Sequence, residues 1–180
     1  SVRNLSRFYL GSTDDRPVPG DYDGDGAAEA GIFRPSSGLW SIRNLTRVYL
    51  GSSDDAVVPG WYDDDTAKDI AVFRGETGMW SVRNLTRFYF GSSTDDLVPG
   101  DYAGAGFWEA GIFRPSSSMW SIRNVTRIYL GSSGDWALPA DYDGDGIDDA
   151  AIFRDSAGLW SVRNLTRVYF GSTDDIPVTR

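Results

Sequence analysis

Residues 69–91 read DIAVFRGETGMWSVRNLTRFYFG, and the fold class can be inferred from this segment. Three runs rich in β-branched and aromatic residues, 69–74, 79–84 and 86–91, are separated by the turn GETG and by a tight Asn-Leu-Thr corner. Such runs, bounded by turn residues, are typical of antiparallel β-strands. A further run, VVPGWY (57–62), precedes them, and no stretch carries the 3.6-residue apolar period of a helix. The sequence therefore predicts a unit of four short strands.

This unit repeats every 40 residues. The sequence SVRNLSRFYLGS at Ser1 returns with small changes at Ser41, Ser81, Ser121 and Ser161, the last of which begins a half repeat. A period of this length indicates supersecondary units that stack on one another. Four antiparallel strands in about 40–45 residues make the blade of a β-propeller. Since no linker interrupts the repeats, we predict one all-β domain, residues 1–180, that is a β-propeller of 40-residue four-stranded blades.

The chain holds four and a half units, which bears on how the ring of blades closes. It begins with the third and fourth strands of a unit, Ser1 to Gly11, and ends with a first strand, Ile176 to Thr179. Pairing these ends would spare the propeller an open edge. We predict five blades, the last of which lacks its second strand and is built from both termini. The alternative is a piece of a longer array with an open edge.

An acidic loop joins the first and second strands of each unit. DYDGDGAAE (21–29) and DYDGDGIDD (141–149) place carboxylates at loop positions 1, 3, 5 and 9 and glycine at position 6. Calcium takes six to eight oxygen ligands, which this spacing supplies together with a backbone carbonyl at position 7. The predicted ligands are Asp21, Asp23, Asp25, Ala27 and Glu29 in the first loop and Asp141, Asp143, Asp145, Ile147 and Asp149 in the last. The alternative is an Asp-Gly turn without an ion, in which four carboxylates repel one another.

The two middle loops have lost part of this pattern. WYDDDTAKD (61–69) keeps Asp63, Asp65 and Asp69, so we expect this site to be weak or empty. DYAGAGFWE (101–109) has alanine at positions 3 and 5, and we expect it to hold no ion. The prediction is thus about two Ca²⁺ ions per chain. Since two losses are tolerated, the ions are expected to be structural.

The repeat also resembles a known family. The sequence VPGDYDGDG, followed by AGIFRPSSGLWSIRN, is similar to the bacterial FG-GAP/VCBS-type repeat, which is related to the blades of the integrin α-subunit propeller. The resemblance covers the whole chain, and the acidic loop is its most specific part. It implies a propeller, calcium in the loop between the first two strands, and a place on the bacterial cell surface or outside the cell.

Composition excludes several classes of function. The chain has no His and no Cys, so Ser-His-Asp catalysis and thiolate zinc sites are excluded. The net charge of −9 argues against a nucleic-acid partner, and no run of 18 apolar residues predicts a membrane span. Because the acids follow metal-ligand spacing rather than that of a glycosidase pair, we predict no enzyme.

The repeats differ from one another in a few aromatic residues. Trp61, Phe107, Trp108 and Trp136 stand where other units have Asp, Ala or Arg. They are candidates for an asymmetric ligand-binding surface, and the alternative is local repacking. We predict a binding or interaction module for a protein ligand, or alternatively a lectin with glycan sites between blades. The oligomeric state is not predicted.

Other recurring residues have structural interpretations. The tryptophans Trp40, Trp80, Trp120 and Trp160 are expected to fill the space between blades, as are the tyrosines Tyr9, Tyr49, Tyr89, Tyr129 and Tyr169. The Asn-x-Ser/Thr sequences starting at Asn4, Asn44, Asn84, Asn124 and Asn164 are expected to serve turns rather than glycosylation. The recurring Arg (Arg34, Arg74, Arg114, Arg154) and Asp (Asp15, Asp55, Asp95, Asp135, Asp175) are expected to form ion pairs between blades.

Overall fold

The computed structural model of the protein describes residues 7–173 and 175–178. In these residues the chain forms four four-stranded antiparallel sheets, and no α-helix is present. Each sheet takes four consecutive strands of the chain in sequential order. The predicted all-β class and the four strands per unit are confirmed.

The strands have the following bounds. Sheet 1 contains β1 (Arg16–Pro17), β2 (Gly31–Arg34), β3 (Leu39–Ile42) and β4 (Thr46–Tyr49). Sheet 2 contains β5 (Asp55–Val57), β6 (Ala71–Arg74), β7 (Met79–Val82) and β8 (Thr86–Tyr89). Sheet 3 contains β9 (Asp96–Leu97), β10 (Gly111–Arg114), β11 (Met119–Ile122) and β12 (Thr126–Tyr129). Sheet 4 contains β13 (Trp136–Ala137), β14 (Ala151–Arg154), β15 (Leu159–Val162) and β16 (Thr166–Tyr169).

The first strand of the unit differs from its predicted bounds. In sheet 2 it spans Asp55–Val57, whereas the sequence predicts 57–62. Pro59 has no N–H to donate to the neighbouring strand, so regular pairing stops before it. Pairing resumes as one isolated bridge between Gly60 and Asp69, which closes the base of the acidic loop.

The hydrophobic core lies between consecutive sheets. Trp40 of sheet 1 is fully buried and shares a cluster with Ile70 and Val72 of sheet 2. Trp80 and Trp120 are buried in the same way against the sheets that follow them. Each indole N–H also donates to a backbone carbonyl at the end of the outer strand, as from Trp40 to Leu50 at 3.0 Å. These three tryptophans therefore fill the space between neighbouring sheets, whereas Trp160 in the last sheet is only partly buried.

The prediction for the recurring tyrosines is wrong. Tyr49, Tyr89, Tyr129 and Tyr169 are 70–73% exposed, and Tyr9 is 97% exposed. Side chains alternate between the two faces of a strand. In the outermost strand of sheet 1, Val48 packs against the core cluster, so the adjacent Tyr49 points to solvent.

The predicted Arg–Asp ion pairs form, but within one sheet rather than between blades. Arg74 Nε donates to Asp55 Oδ1 at 2.8 Å, and these two residues are directly opposite on β6 and β5. The equivalent pairs are Arg34–Asp15, Arg114–Asp95 and Arg154–Asp135. They join a first strand, or the residue just before it, to the second strand, because both residues lie at that end of the hairpin.

The described asparagines of the Asn-x-Ser/Thr sequences occupy turns. Asn44, Asn84, Asn124 and Asn164 have φ of 60–63°, in the left-handed region. Asparagine tolerates this region better than most residues, so its position supports the predicted turn role. Asn4 lies outside the described residues.

The predicted closing blade is only partly within the described residues. Val2 to Leu5 and Thr179 lie outside them. Ile176 to Val178 form no strand, and Ile176 and Val178 are 77% and 89% exposed. On sheet 4, Val168 and Phe170 are 46% and 78% exposed. The fifth blade stays a prediction.

Candidate metal centres

The structure brings three carboxylates together in each of the two intact acidic loops. In the first loop, one oxygen from each of Asp21, Asp23 and Glu29 lies within 4.8 Å of the others. Asp141, Asp143 and Asp149 form the equivalent group in the last loop. Nowhere else in residues 7–173 and 175–178 do three acidic side chains meet in this way.

The acid at position 5 stands apart from these groups. Asp25 Oδ1 accepts the amide of Ala27 at 2.8 Å, and Asp145 Oδ1 accepts the amide of Ile147 at 2.8 Å. Each bond closes a two-residue turn within the loop. The carbonyls of Ala27 and Ile147 as calcium ligands stay predictions.

The acid at position 1 caps the loop by accepting hydrogen bonds from backbone amides of the same loop. Asp21 accepts the amides of Gly24 at 2.7 Å and Gly26 at 2.8 Å, and both glycines have positive φ. Asp141 accepts the amides of Gly144 and Gly146 in the same way. These backbone bonds, that of Gly146 above all, lower the pKa of Asp141 and keep it ionised.

The acid at position 9 has a structural partner in every loop. Glu29 Oε2 accepts the amide of Tyr22 at 2.8 Å, and the Tyr22 hydroxyl donates to the Val18 carbonyl at 3.0 Å. The same two bonds are made by Tyr62, Tyr102 and Tyr142 with their own acids and carbonyls. We call this arrangement the tyrosine pin. It gives Asp69 and Glu109 a role in their loops that does not involve a metal.

The two altered loops also have a capping hydrogen bond made by the residue at position 1, although the second loop has no acid there. In the second loop Trp61 replaces the capping acid, and its indole N–H donates to the Thr66 carbonyl at 3.3 Å. Asp63, Asp65 and Asp69 do not form a metal-ligand group there. Burial raises the pKa of Asp69, and the nearby charges of Asp63 and Asp65 raise it further. In the third loop Asp101 still caps, accepting the amide of Gly106 at 2.7 Å.

Consecutive loops are hydrogen-bonded to one another at position 8. The amide of Lys68 donates to the Asp21 carbonyl at 2.6 Å, and that of Trp108 donates to the Trp61 carbonyl at 2.5 Å. The amide of Asp148 likewise donates to the Asp101 carbonyl at 2.7 Å. Sequence reasoning missed this series of bonds, since backbone groups leave no residue pattern.

The sequence does contain one weak indication of these contacts between loops, a glycine directly before each of the first three loops. A Cβ atom on Gly60 would lie 2.5 Å from Trp108 Cε3, and one on Gly20 would lie 2.6 Å from Lys68 Cδ. The side chain at position 8 therefore packs over this glycine of the preceding loop. Glycine at that place, beside a variable position 8, could have indicated the contact.

Three of the four candidate aromatic residues lie close together. Trp61 and Trp108 meet edge to face with ring centres 5.2 Å apart, and Lys68 Nζ lies 4.7 Å from the Trp61 ring centre. Phe107 and Trp108 line a cleft between sheets 2 and 3. Trp136 is 48% exposed at the start of β13, the end of that strand opposite the acidic loop. It therefore belongs to a different surface.

Comparisons with protein-family models, with curated proteins and with solved structures gave no match to this chain. The resemblance to FG-GAP/VCBS repeats stays a prediction from the sequence motifs. None of the described segments forms a helix of the length and apolarity that a membrane crossing needs.

Proposed function

We propose that this protein is a non-catalytic binding module in which each sheet is a blade of a β-propeller and each intact acidic loop holds one structural Ca²⁺ ion. The observation that carries the proposal is the convergence of Asp21, Asp23 and Glu29, and of Asp141, Asp143 and Asp149. The proposal places the module on the cell surface or outside the cell, as the FG-GAP/VCBS resemblance implies.

The packing of the sheets supports the propeller. Sheets 1, 2 and 3 each bury one face against the sheet that follows, and the three contacts are alike. The acidic loops are also bonded in series at one end of the sheets. Stacked sheets with a series of touching loops at one end fit the arrangement of blades around a central axis, which supports the proposal. In the proposed ring, a fifth blade built from both termini covers the exposed face of sheet 4.

The electrostatics of the loops support a cation. Asp149 is partly buried, and burial raises its pKa, to which the charges of Asp143, Asp145 and Asp141 add. These carboxylates destabilise one another when all are ionised. A bound divalent cation would neutralise them, and an all-oxygen set of this kind fits a hard ion such as Ca²⁺. The ion would supply charge neutralisation and stiffness, while the chain itself caps and pins the loop.

The altered loops support a structural rather than a catalytic ion. The second and third loops keep the tyrosine pin and the cap without a metal-ligand group. A loop that holds its shape on its own needs the ion only for added stability. A catalytic metal would need an open position and a nearby base, and the loops supply acids that are already used as caps and turns.

Calcium counting tests this proposal. Native mass spectrometry and calorimetry in millimolar calcium should show two ions per chain, with the weak affinity of about 10⁻⁴–10⁻³ M typical of extracellular modules. Binding of none, or of four equal ions, would contradict the assignment of the loops. Magnesium is the control ion, because it prefers a smaller octahedral shell and should bind more weakly.

A further inference from the structure

One cleft between neighbouring sheets differs from its equivalents. It lies between sheets 2 and 3, has a volume of about 410 Å³, and is lined by the aromatic side chains of Tyr62, Phe88, Phe107 and Trp108. Equivalent clefts of about 360 and 310 Å³ precede it in the series. All three volumes lie in the range of small-molecule sites, roughly 300–1,000 Å³.

The charge of this cleft is also different. The cleft before it is lined by three acids, Asp63, Asp65 and Asp69, against Lys68 and Arg83. In the aromatic cleft the residues at positions 3 and 5 are Ala103 and Ala105, which leaves Glu109 as the one acid in its lining. Glu109 is balanced by Arg123, so the cleft is neutral while its neighbour is acidic. Loss of the metal-ligand acids and gain of aromatic residues thus occur at the same place.

Planar polar groups face the same cleft. The guanidinium carbon of Arg123 lies 4.2 Å from the centre of the Phe88 ring, so the aromatic ring holds it in position. Among the described residues, salt bridges join only the four Arg–Asp pairs, and Arg123 is in none of them. Asn124 and Glu109 add an amide and a carboxylate. Polar groups of fixed geometry therefore stand beside partly exposed aromatic rings in the same cleft.

We infer that this cleft is a binding site for a neutral pyranose glycan. The apolar face of a pyranose packs on an aromatic ring, and its adjacent hydroxyls pair with planar, two-pronged groups such as guanidinium, carboxylate and amide. A neutral sugar matches the balanced charge of Glu109 and Arg123. The inference rests on the proposed function as a binding module, but it does not depend on calcium, because Ala103 and Ala105 supply no ligand oxygen from their side chains.

A glycan array probes this inference with the full chain. The array carries neutral hexose oligosaccharides together with sialylated and uronic-acid glycans, and is read in calcium and in EDTA. Neutral hexosides should bind in both buffers. The double variant F107A/W108A should weaken the best hit at least about tenfold, the factor that corresponds to about 1.4 kcal/mol. This variant restores the Ala27–Ala28 pair of the first loop, which the same fold already accommodates.

Further variants keep the test decisive if F107A/W108A unfolds. Arg123→Met retains the aromatic rings and should also weaken binding, while Tyr49→Ala removes a solvent-facing aromatic side chain outside the cleft lining and should leave binding unchanged. The inference is overturned if no neutral glycan binds, if only acidic glycans bind, if EDTA abolishes binding, or if the cleft variants bind as the parent does. Calcium stoichiometry, measured on the same samples, reports separately on the proposed metal loops.

Discussion

Gly31 on β2 lies directly opposite Ile42 on β3, and a Cβ atom on Gly31 would lie 2.8 Å from Ile42 Cδ1 and 2.6 Å from the Val18 carbonyl oxygen. The equivalent pairs are Ala71–Val82 in sheet 2, Gly111–Ile122 in sheet 3 and Ala151–Val162 in sheet 4. Sheets 1 and 3 pair glycine on the second strand with isoleucine on the third, whereas sheets 2 and 4 pair alanine with valine. The extra carbon atom is thus on the third strand in one case and on the second strand in the other. The two positions therefore share one volume in the core between sheets.

This sharing predicts a compensating pair of substitutions. Gly31→Ala should destabilise the protein by about 1–3 kcal/mol through overpacking, and Ile42→Val by about 0.5–1.5 kcal/mol through a lost methylene. The double variant should be more stable than Gly31→Ala alone, because it recreates the Ala–Val pair of sheets 2 and 4. A double-mutant cycle by chemical denaturation measures the coupling, and simple additivity of the two effects would contradict it. The reverse exchange, A71G/V82I, is the matched control in sheet 2.

The ion pair of Asp55 and Arg74 should contribute measurably to stability. Asp55 is 1% exposed, while the Arg74 side chain is 38% exposed and partly screened by solvent. Breaking a fully buried pair costs about 3–5 kcal/mol, so we expect Asp55→Asn to cost less, about 1–3 kcal/mol. Differential scanning calorimetry checks this. The adjacent Asp54→Asn is the control, and equal losses for the two variants would argue against a special role for the pair.

Calcium should stabilise the protein through the intact loops only. At 10 mM calcium, a site of about 10⁻⁴–10⁻³ M contributes about 1.4–2.7 kcal/mol by linkage. Asp23→Ala should remove one ion and its share of the rise in melting temperature. Asp63→Ala, at the same position of the second loop, should leave the number of bound ions unchanged. If Asp63→Ala lowers the ion count as Asp23→Ala does, the second loop is a calcium site after all.

Stability without calcium should pass through a maximum at acidic pH. Burial raises the pKa of Asp69, Asp148 and Asp149 above the ordinary 3.8, so the folded state binds more protons and gains stability as pH falls from 7. Burial also opposes ionisation of Asp55, but the bonds from Arg74 outweigh it and lower its pKa. Its stabilisation is present above 3.8 and is lost as pH falls through the lowered pKa.

Melting temperatures in EDTA between pH 2 and 8 measure this profile. The expected maximum lies near the ordinary Asp pKa of 3.8, between the raised and the lowered pKa values of the folded state. Millimolar calcium should raise the neutral side of the curve, because the ion replaces the proton at Asp149, a predicted ligand. A steady fall in stability from pH 7 downward in EDTA would contradict the prediction.

The proposed five-bladed ring predicts that the two ends of the chain lie side by side. The chain has no Cys, so Ser1→Cys and Val178→Cys would carry two unique spin labels. In the ring, the backbones at these positions are about 5–10 Å apart, one or two strand spacings. Electron paramagnetic resonance should then give one short, narrow distance between the two labels. A long or broad distribution would favour an open edge.

The repeat allowed most of the fold to be predicted from sequence. Trp40 and its equivalents, the strand runs and the turns at Asn84 all recur in register, so several copies support each assignment. The tyrosines recur equally well, yet Tyr49 is exposed, because periodicity alone does not say which face of an outermost strand is covered. Likewise the Arg–Asp spacing predicts a pair but not whether its members share a sheet.

The sequence predicts which acids lie in each loop, but not which of them converge on a metal site and which close turns. Asp21, Asp23 and Glu29 converge, whereas Asp25 closes a turn, and the spacing of the four acids is the same for either role. The aromatic contact of Trp61 with Trp108 joins loops of different units. It accompanies the backbone bond between those loops, for which the glycine before the preceding loop is only a weak signal in the sequence.

The residues through which the tyrosine pin fixes the backbone of each loop are different from the residues whose side chains change in chemical type between loops. Tyr22, Glu29 and the Val18 carbonyl fix the loop from positions 2 and 9, and positions 3, 5, 7 and 8 are left to vary. Different side chains could therefore be engineered at these positions in each of the four loops while the backbone of the loop stays the same. The four loops already differ in this way: the first and last carry carboxylates, the second has a lysine against an indole, and the third has a pair of aromatic rings.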